Sequence, residues 1–439
     1  MPHFLDLLIK EVEVKAEQIR RLLEEPEERL TLYDELFKRR WNPLPKPGSL
    51  SQAVYAIDSS NGEVELRGGG VILITRALAI SNRQEEVRKL TLDALYPRSV
   101  RDYTEYKRLI REHLEHLVTL DVIERLGKGD YILIDGSIYG RMLHLIQELD
   151  LPGKETFILE YISTYSNLLE KVLNKGIMLI GVSKDSRSTL LREELLREKL
   201  EELIQNLDDE VVEKIRSLWF TLRRSPRQVL DEVTKLVEKG VVGEKVSFIF
   251  GERLSLTPDS KLITLLNLGV GFSTPLKVTI TEASVGEIEA ILRSQGAPLS
   301  ALIRALFPKS VRAYGEEFIE KANLILRRMR SYPPVLVTYA IFGRRDLPLR
   351  IDILSKETNS IKVKGPLRFI KERTEIVIEA LKVLQVFYAG PRHYNVLLEM
   401  ADNKVKMRSK SIEHYRRIIE KKLNSLIEHS RGARRVFYP

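Results

Sequence analysis

Two hydrophobic periods alternate along the chain. Between Phe4 and Arg40, Leu5, Leu8, Ile9, Val12, Ile19, Leu22 and Leu23 recur near every 3.6 residues, the spacing of an amphipathic helix. The stretch Asn42–Gly48, NPLPKPG, holds three prolines and a glycine and predicts a stiff break. Apolar, β-branched runs follow at Ala53–Ile57, Val64–Leu66 and Gly70–Ile80. The turn signals Asn61-Gly62 and Gly68–Gly70 between them predict a three-stranded antiparallel meander. A charged helix is then expected over Tyr103–Arg125, ending at Gly127, followed by a buried strand at Tyr131–Ile134. A helix from Gly140, a helix over Thr156–Asn174 and a strand at Ile177–Val182 complete this stretch.

That order, β-β-β-α-β-α-β, predicts an α/β fold with a ribonuclease-H-like mixed sheet core, in which alternating helices and strands extend the meander on its far side. Leu190–Lys239 is charged, with helical spacing and no strand signal, and reads as a helical insertion at about residues 190–240. Strands are expected again at Val246–Phe250, Leu276–Ile280 and Pro334–Phe342, with helices over Glu282–Arg293 and Glu316–Arg330. Helices over Arg368–Leu384 and Asn395–Leu426 are expected to close the chain. The expected organisation is an N-terminal helical extension, residues 1–48, and one domain, residues 49–439, which contains the insertion and ends in a C-terminal helical extension.

Composition narrows the class. Hydrophobic residues make up 43% of the 439 and charged residues 30%, enough apolar material for a large core. The absence of cysteine excludes disulfides, thiolate zinc sites, iron–sulfur clusters and a cysteine nucleophile together. The longest uncharged run, Leu262–Leu276, has 15 residues, short of the ~20 a spanning helix needs. Charges at Asp6, Lys10 and Glu11 interrupt the apolar core that a secretory signal requires. The expectation is a cytoplasmic protein with no membrane association. The net charge is +9, and 11 basic against 3 acidic residues over Lys404–Pro439 put +8 of it in the last 36 residues. Such a segment attracts polyanions by counterion release. A helix face solvated by its own ion pairs is the plainer alternative, and heavy charging also suits a thermophile.

Two aspartates end apolar strands. Asp58 follows Val54–Ile57 and precedes Ser59-Ser60-Asn61-Gly62; Asp135 follows Ile132–Ile134 and precedes Gly136-Ser137. A carboxylate there is costly unless a cation or the amides of an Asx-turn compensate it. Both options are open for each residue. A convergent pair is also what metal-assisted phosphodiester cleavage requires. Further oxygen ligands are available at Glu105, Glu112, Glu115 and Glu124 on the helix before Asp135. His113 and His116 on that helix lack a partner at i+4 and read as surface or packing residues. Lys184, in GVSKDS, can hold a phosphate or carboxylate as a point charge, or belong to a plain strand-to-helix turn. Tyr394 and Asp402 are spaced a little over two helical turns apart and can point the same way.

Together, YAIDSSNG around Asp58, ILIDGSIYG around Asp135, GVSKDS around Lys184 and the late Tyr394–Asp402 element resemble the archaeal NurA nucleases, from about Ala53 to Asp402. The resemblance implies a homodimeric, manganese- or magnesium-dependent DNA nuclease, a single-strand endonuclease and 5′–3′ exonuclease on single- and double-stranded DNA. Its implied partner is a HerA-type hexameric ATPase, in DNA end resection and double-strand break repair. It also implies that Asp58, Glu115 (Glu112 being the fallback), Asp135 and Asp402 hold the metal, with Tyr394 and Lys184 acting beside them. The family usually has Tyr-Pro and a histidine eight residues later; this chain has Tyr394-Asn395 and Asp402, another hard oxygen ligand. Two readings compete. One is a non-catalytic DNA- or ATPase-binding adaptor on the same fold. The other is an actin-like ATPase, whose first phosphate loop AIDSSNG also resembles, although no glycine-rich counterpart follows Val246.

Overall fold

Runs of buried β-branched residues build the strands. In chain order these are β1 (Trp41–Asn42), β2 (Val54–Glu65), β3 (Val71–Ser81), β4 (Glu86–Leu95), β5 (Tyr131–Asp135), β6 (Met178–Ser183), β7 (Gly271–Ser273), β8 (Leu276–Val278), β9 (Val335–Ile341) and β10 (Leu349–Leu354). The computed structural model describes residues 3–23, 26–280, 286–294, 299–361, 367–370 and 374–424. The chain divides into two compact units, Leu44–Lys184 with Pro275–Pro439, and Met1–Pro43 with Asp185–Thr274.

In the first unit the sheet runs β8-β9-β10-β6-β5-β2-β3-β4. β2, β3 and β4 form an antiparallel meander, β5 and β6 add to β2 in parallel, and β10, β9 and β8 continue antiparallel. Every residue of β9 and β10 is buried, as expected of strands covered on both faces. Two helical layers cover opposite faces of β2. Asn61 donates to the Lys107 carbonyl of helix Val100–Ile123, while its neighbour Ser60 accepts from the Met407 amide beside the C-terminal helices.

Several expectations are corrected. Asn61-Gly62 is no turn, because β2 runs straight through it, with Asn61 opposite Thr75 and Gly62 opposite Ile74. The glycine serves close approach instead: a Cβ there would stand 3.0 Å from both Met407 and Ile412. The meander's third strand is β4, an edge strand whose charged, half-exposed alternation hid it. Val246–Phe250 is helical, part of Glu244–Arg253, with Val246, Ile249 and Phe250 buried at helical spacing. β10 was not anticipated, since Arg350 and Asp352 interrupt its apolar run; both are buried and paired at 2.8 Å. The helix from Gly140 is only one turn, Ile138–Arg141. Phe4–Arg40 is two helices, Phe4–Leu23 and Glu27–Arg39, the second starting after Pro26. Toward the C-terminus the helices are Glu375–Val386, Val396–Val405 and Ser409–Leu423. Glu282, part of Arg368–Leu384 and Leu426 lie outside the described residues.

The second unit joins the N-terminal segment to the insertion. Arg29 bonds Glu252 at 2.7 Å and Arg40 bonds Glu198, while β1 pairs with β7. Its helices continue past residue 240 to Asp259–Leu265. Helix Phe4–Leu23 leaves Phe4, Leu5, Leu8, Ile9 and Val12 exposed. No described helix is long and apolar enough to cross a membrane.

Candidate active site

Strand length creates the site. β5 ends at Asp135 and pairs with β2 only as far as Ile57 opposite Ile134, so β2 continues past Asp58 without a partner on that side. The register therefore sets Asp58 beside Asp135 at an open sheet edge. Asp58 is buried and accepts from the Ser59 amide at 2.7 Å. Asp135 faces Lys184, at the end of β6, with Nζ 2.9 Å from Oδ2. The turn after Asp135 is pressed onto β6: a Cβ at Gly181 would meet the Gly136 carbonyl at 2.5 Å, and Gly136 itself has φ +121°. Asp352 of β10 anchors that turn, accepting from Ser137 Oγ at 2.6 Å and the Tyr139 amide at 2.9 Å.

Helix Val100–Ile123 supplies Glu115, which is buried. Ser59 Oγ donates to its Oε1 and Arg141 Nη2 to its Oε2. The other helix glutamates are engaged elsewhere. Glu112 lies 2.6 Å from His144 Nε2 and accepts from the Tyr161 hydroxyl at 2.5 Å. Glu105 pairs with Arg108, and Glu124, just past the helix, with Lys171. His113 and His116 are buried packing residues; His116 stacks on Tyr165 with centroids 4.5 Å apart, and burial keeps it neutral. On the facing side, the Asn395 side chain accepts from the Leu398 amide and caps helix Val396–Val405, which carries Asp402. Tyr394 precedes the cap, its ring centroid 4.6 Å from Lys184 Nζ.

The electrostatics join these groups. Burial, reinforced by the Glu115 and Asp135 charges and more weakly by Asp402, pushes the Asp58 carboxyl up to about 8 against the pull of the Ser59 amide. Burial disfavours charge on Lys184, but Asp135 and Tyr394 together more than offset this and raise its pKa. Burial and Asp135 raise Tyr394, which stays a neutral phenol at neutral pH. Of the six residues expected from the sequence, Asp58, Glu115, Asp135, Lys184 and Tyr394 are thus linked by contacts and strand register, and Asp402 by its weaker charge effect on Asp58. Sequence reasoning missed Arg141, Ser59 and Asp352. Only Ser59 carried a signal, its position next to Asp58.

Among the described residues no three acidic or imidazole side chains already stand at metal-coordination spacing. Arg141 and Ser59 hold the Glu115 oxygens, and Lys184 holds Asp135. In chemistry the residues fit a hard divalent cation: the candidate donors are all oxygen, and the charges of three other acids act on Asp58, a repulsion a cation would relieve.

The sequence matches the NurA domain over residues 52–407, well over half of the chain. The chain belongs to the NurA family. Its fold is similar to the crystal structure of the NurA nuclease from Sulfolobus solfataricus, with a TM-score of 0.52 at 14% identity, over 97% of this chain and 98% of that one. A second NurA crystal structure aligns with a TM-score of 0.43 at 16% identity, over 92% and 96% of the two chains. A third, of NurA bound to dAMP and manganese, aligns at 0.37 and 18%, over 96% of each. No curated protein sequence matches significantly.

Proposed function

We propose that this NurA-family chain is a divalent-metal-dependent DNA nuclease, with Asp58, Glu115, Asp135 and Asp402 holding Mn2+ or Mg2+. The observation that supports the reading is that the Glu115, Asp135 and, more weakly, Asp402 charges act on Asp58 where β2 runs on past the end of β5. A bound divalent ion supplies an activated water and neutralises charge on the phosphodiester. The chain's own residues orient and hold. Lys184 offers a fixed positive charge for a phosphate oxygen, and the neutral Tyr394 phenol offers a hydrogen-bond donor beside it. Ser59 and Arg141 fix the aim of Glu115.

The finer activities belong to the same proposal and rest on family membership: single-strand endonuclease and 5′–3′ exonuclease action, work with a HerA-type hexameric ATPase, and a role in DNA end resection. Homodimer formation has further support in the exposed apolar residues of helix Phe4–Leu23. The actin-like alternative is set aside, because the family match spans the AIDSSNG segment. One observation favours a second reading, a non-catalytic adaptor: Arg141 and Lys184 already neutralise two of the four acids.

Incubation of end-labelled single- and double-stranded DNA with Mn2+, Mg2+ or EDTA decides between the two. The nuclease reading expects cleavage with Mn2+ or Mg2+, none in EDTA, and a loss of at least ~100-fold in folded Asp58→Asn. An intact substrate with every ion would leave the adaptor.

A further inference from the structure

We propose that Arg141 is a positioning residue: it aims Glu115 through a buried ion pair, and it stands in for the divalent cation while the site lacks one. This inference rests on the metal-site reading above. Arg141 closes the one-turn helix that follows Asp135, and its side chain is only 5% exposed. Its Nη2 donates to Glu115 Oε2 and approaches the Asp135 carbonyl at 3.4 Å. The other Glu115 oxygen accepts from Ser59, next to Asp58. Glu115 reaches in from a helix, yet each of its oxygens is tied to a segment bearing one of the two strand aspartates.

The local charges explain why an arginine is needed. Glu115, Asp135 and, more weakly, Asp402 act on Asp58, and Glu112 adds a fifth carboxylate three residues before Glu115, held by His144 and Tyr161. Lys184 faces Asp135, and the described ion pair of Glu115 is with Arg141. His116 is neutral and adds no charge. Removing one member of a buried ion pair leaves its partner uncompensated. Without Arg141, the Glu115 carboxylate would lose its direct ion pair, and Arg111, which donates to Ser59 Oγ at 3.4 Å, would reach it only through that hydroxyl until a cation arrived. Arginine and cation therefore compete for the same negative charge, while the arginine's fixed fork sets its direction.

That competition predicts effects of opposite sign. In Arg141→Gln, the Mn2+ dissociation constant, read from the electron paramagnetic resonance of free Mn2+, should tighten about ten-fold. Turnover should fall by ~10–100-fold, as when an outer partner of a metal ligand is lost. The thermal midpoint in EDTA should drop and Mn2+ should restore it. Arg141→Lys, which keeps the charge, should return the dissociation constant toward wild type. Glu115→Gln/Arg141→Gln, which removes both charges, should recover most of the midpoint lost in EDTA. A variant Arg141→Gln in which Mn2+ binding and turnover weaken together would overturn the proposal and leave a packing role. Should that single variant not fold, the double variant decides: a folded protein supports the counter-charge role and an unfolded one rejects it. Wild type that binds no Mn2+ would remove the metal site and this inference together. Wild-type binding that is unchanged in Arg141→Gln would remove this inference alone.

Discussion

At the scale of single residues, the cost of the site concentrates in Asp58. Its folded pKa of about 8 lies above the ordinary 3.8, so the folded state keeps this proton after the unfolded chain has lost it. The stability it contributes is complete below about pH 4 and is lost as pH rises through about 8. Without divalent ions the thermal midpoint should therefore decline across that window, more steeply than in Asp58→Asn, and added Mn2+ should remove the decline. Circular dichroism melts in EDTA at several pH values measure this, and parallel profiles for the two proteins would contradict it. Asp58 and Asp135 were legible in the sequence because each is a lone acid closing a buried run. Glu115 was not separable from Glu112 by spacing, since both share a helix face region and only their partners differ. Arg141 and Asp352 left no local signal: Arg141 matters through a residue 26 positions away, and Asp352 through one 215 away.

At the scale of elements, the meander and the parallel pair β5–β6 were readable from apolar runs. The misreadings came where burial contradicted composition. VSFIF looks like a strand but buries one helical face, and LRIDIL looks interrupted but buries its own ion pair. Gly62 looked like a turn residue because its true neighbours, Met407 and Ile412, lie far along the chain. Gly62→Val should destabilise the protein by ~1–3 kcal/mol, as overpacking does; an unchanged denaturation midpoint would show that the C-terminal layer yields freely. The basic C-terminal helix also divides. Ile412, Tyr415 and Ile419 pack on Val64, Ile72 and Ile74, and Arg416 is 12% exposed between Glu413 and Glu420. Arg416 holds the Glu413 carboxyl down at about 2. Lys421 and Lys422 remain exposed; Arg431, Arg434 and Arg435 lie outside the described residues. Arg416→Ala should lower the thermal midpoint and leave the salt dependence of DNA binding intact. Lys421→Ala/Lys422→Ala should flatten that dependence by ~0.7–0.9 in log–log slope per lost phosphate contact. An unchanged slope in the double variant would remove this helix from the DNA path.

At the scale of the whole molecule, the N-terminal segment and the insertion share one unit while every proposed site residue lies in the other. Helix Phe4–Leu23, with its exposed apolar residues, is the surface we propose for self-association, and a stable interface needs at least ~1,000 Å². Light scattering should return about twice the 50.6 kDa chain mass; the chain mass itself at micromolar concentration would reject the dimer. The central claim is that Asp58, Glu115, Asp135 and Asp402, of which Glu115 is paired here with Arg141 and Asp135 with Lys184, close on a divalent cation. The most direct measurement is an anomalous difference map from a crystal soaked in Mn2+. The account predicts a peak within ~2.0–2.6 Å of carboxylate oxygens of Asp58 and at least two of Glu115, Asp135 and Asp402. A map with no peak there, or with manganese bound only elsewhere, would contradict it.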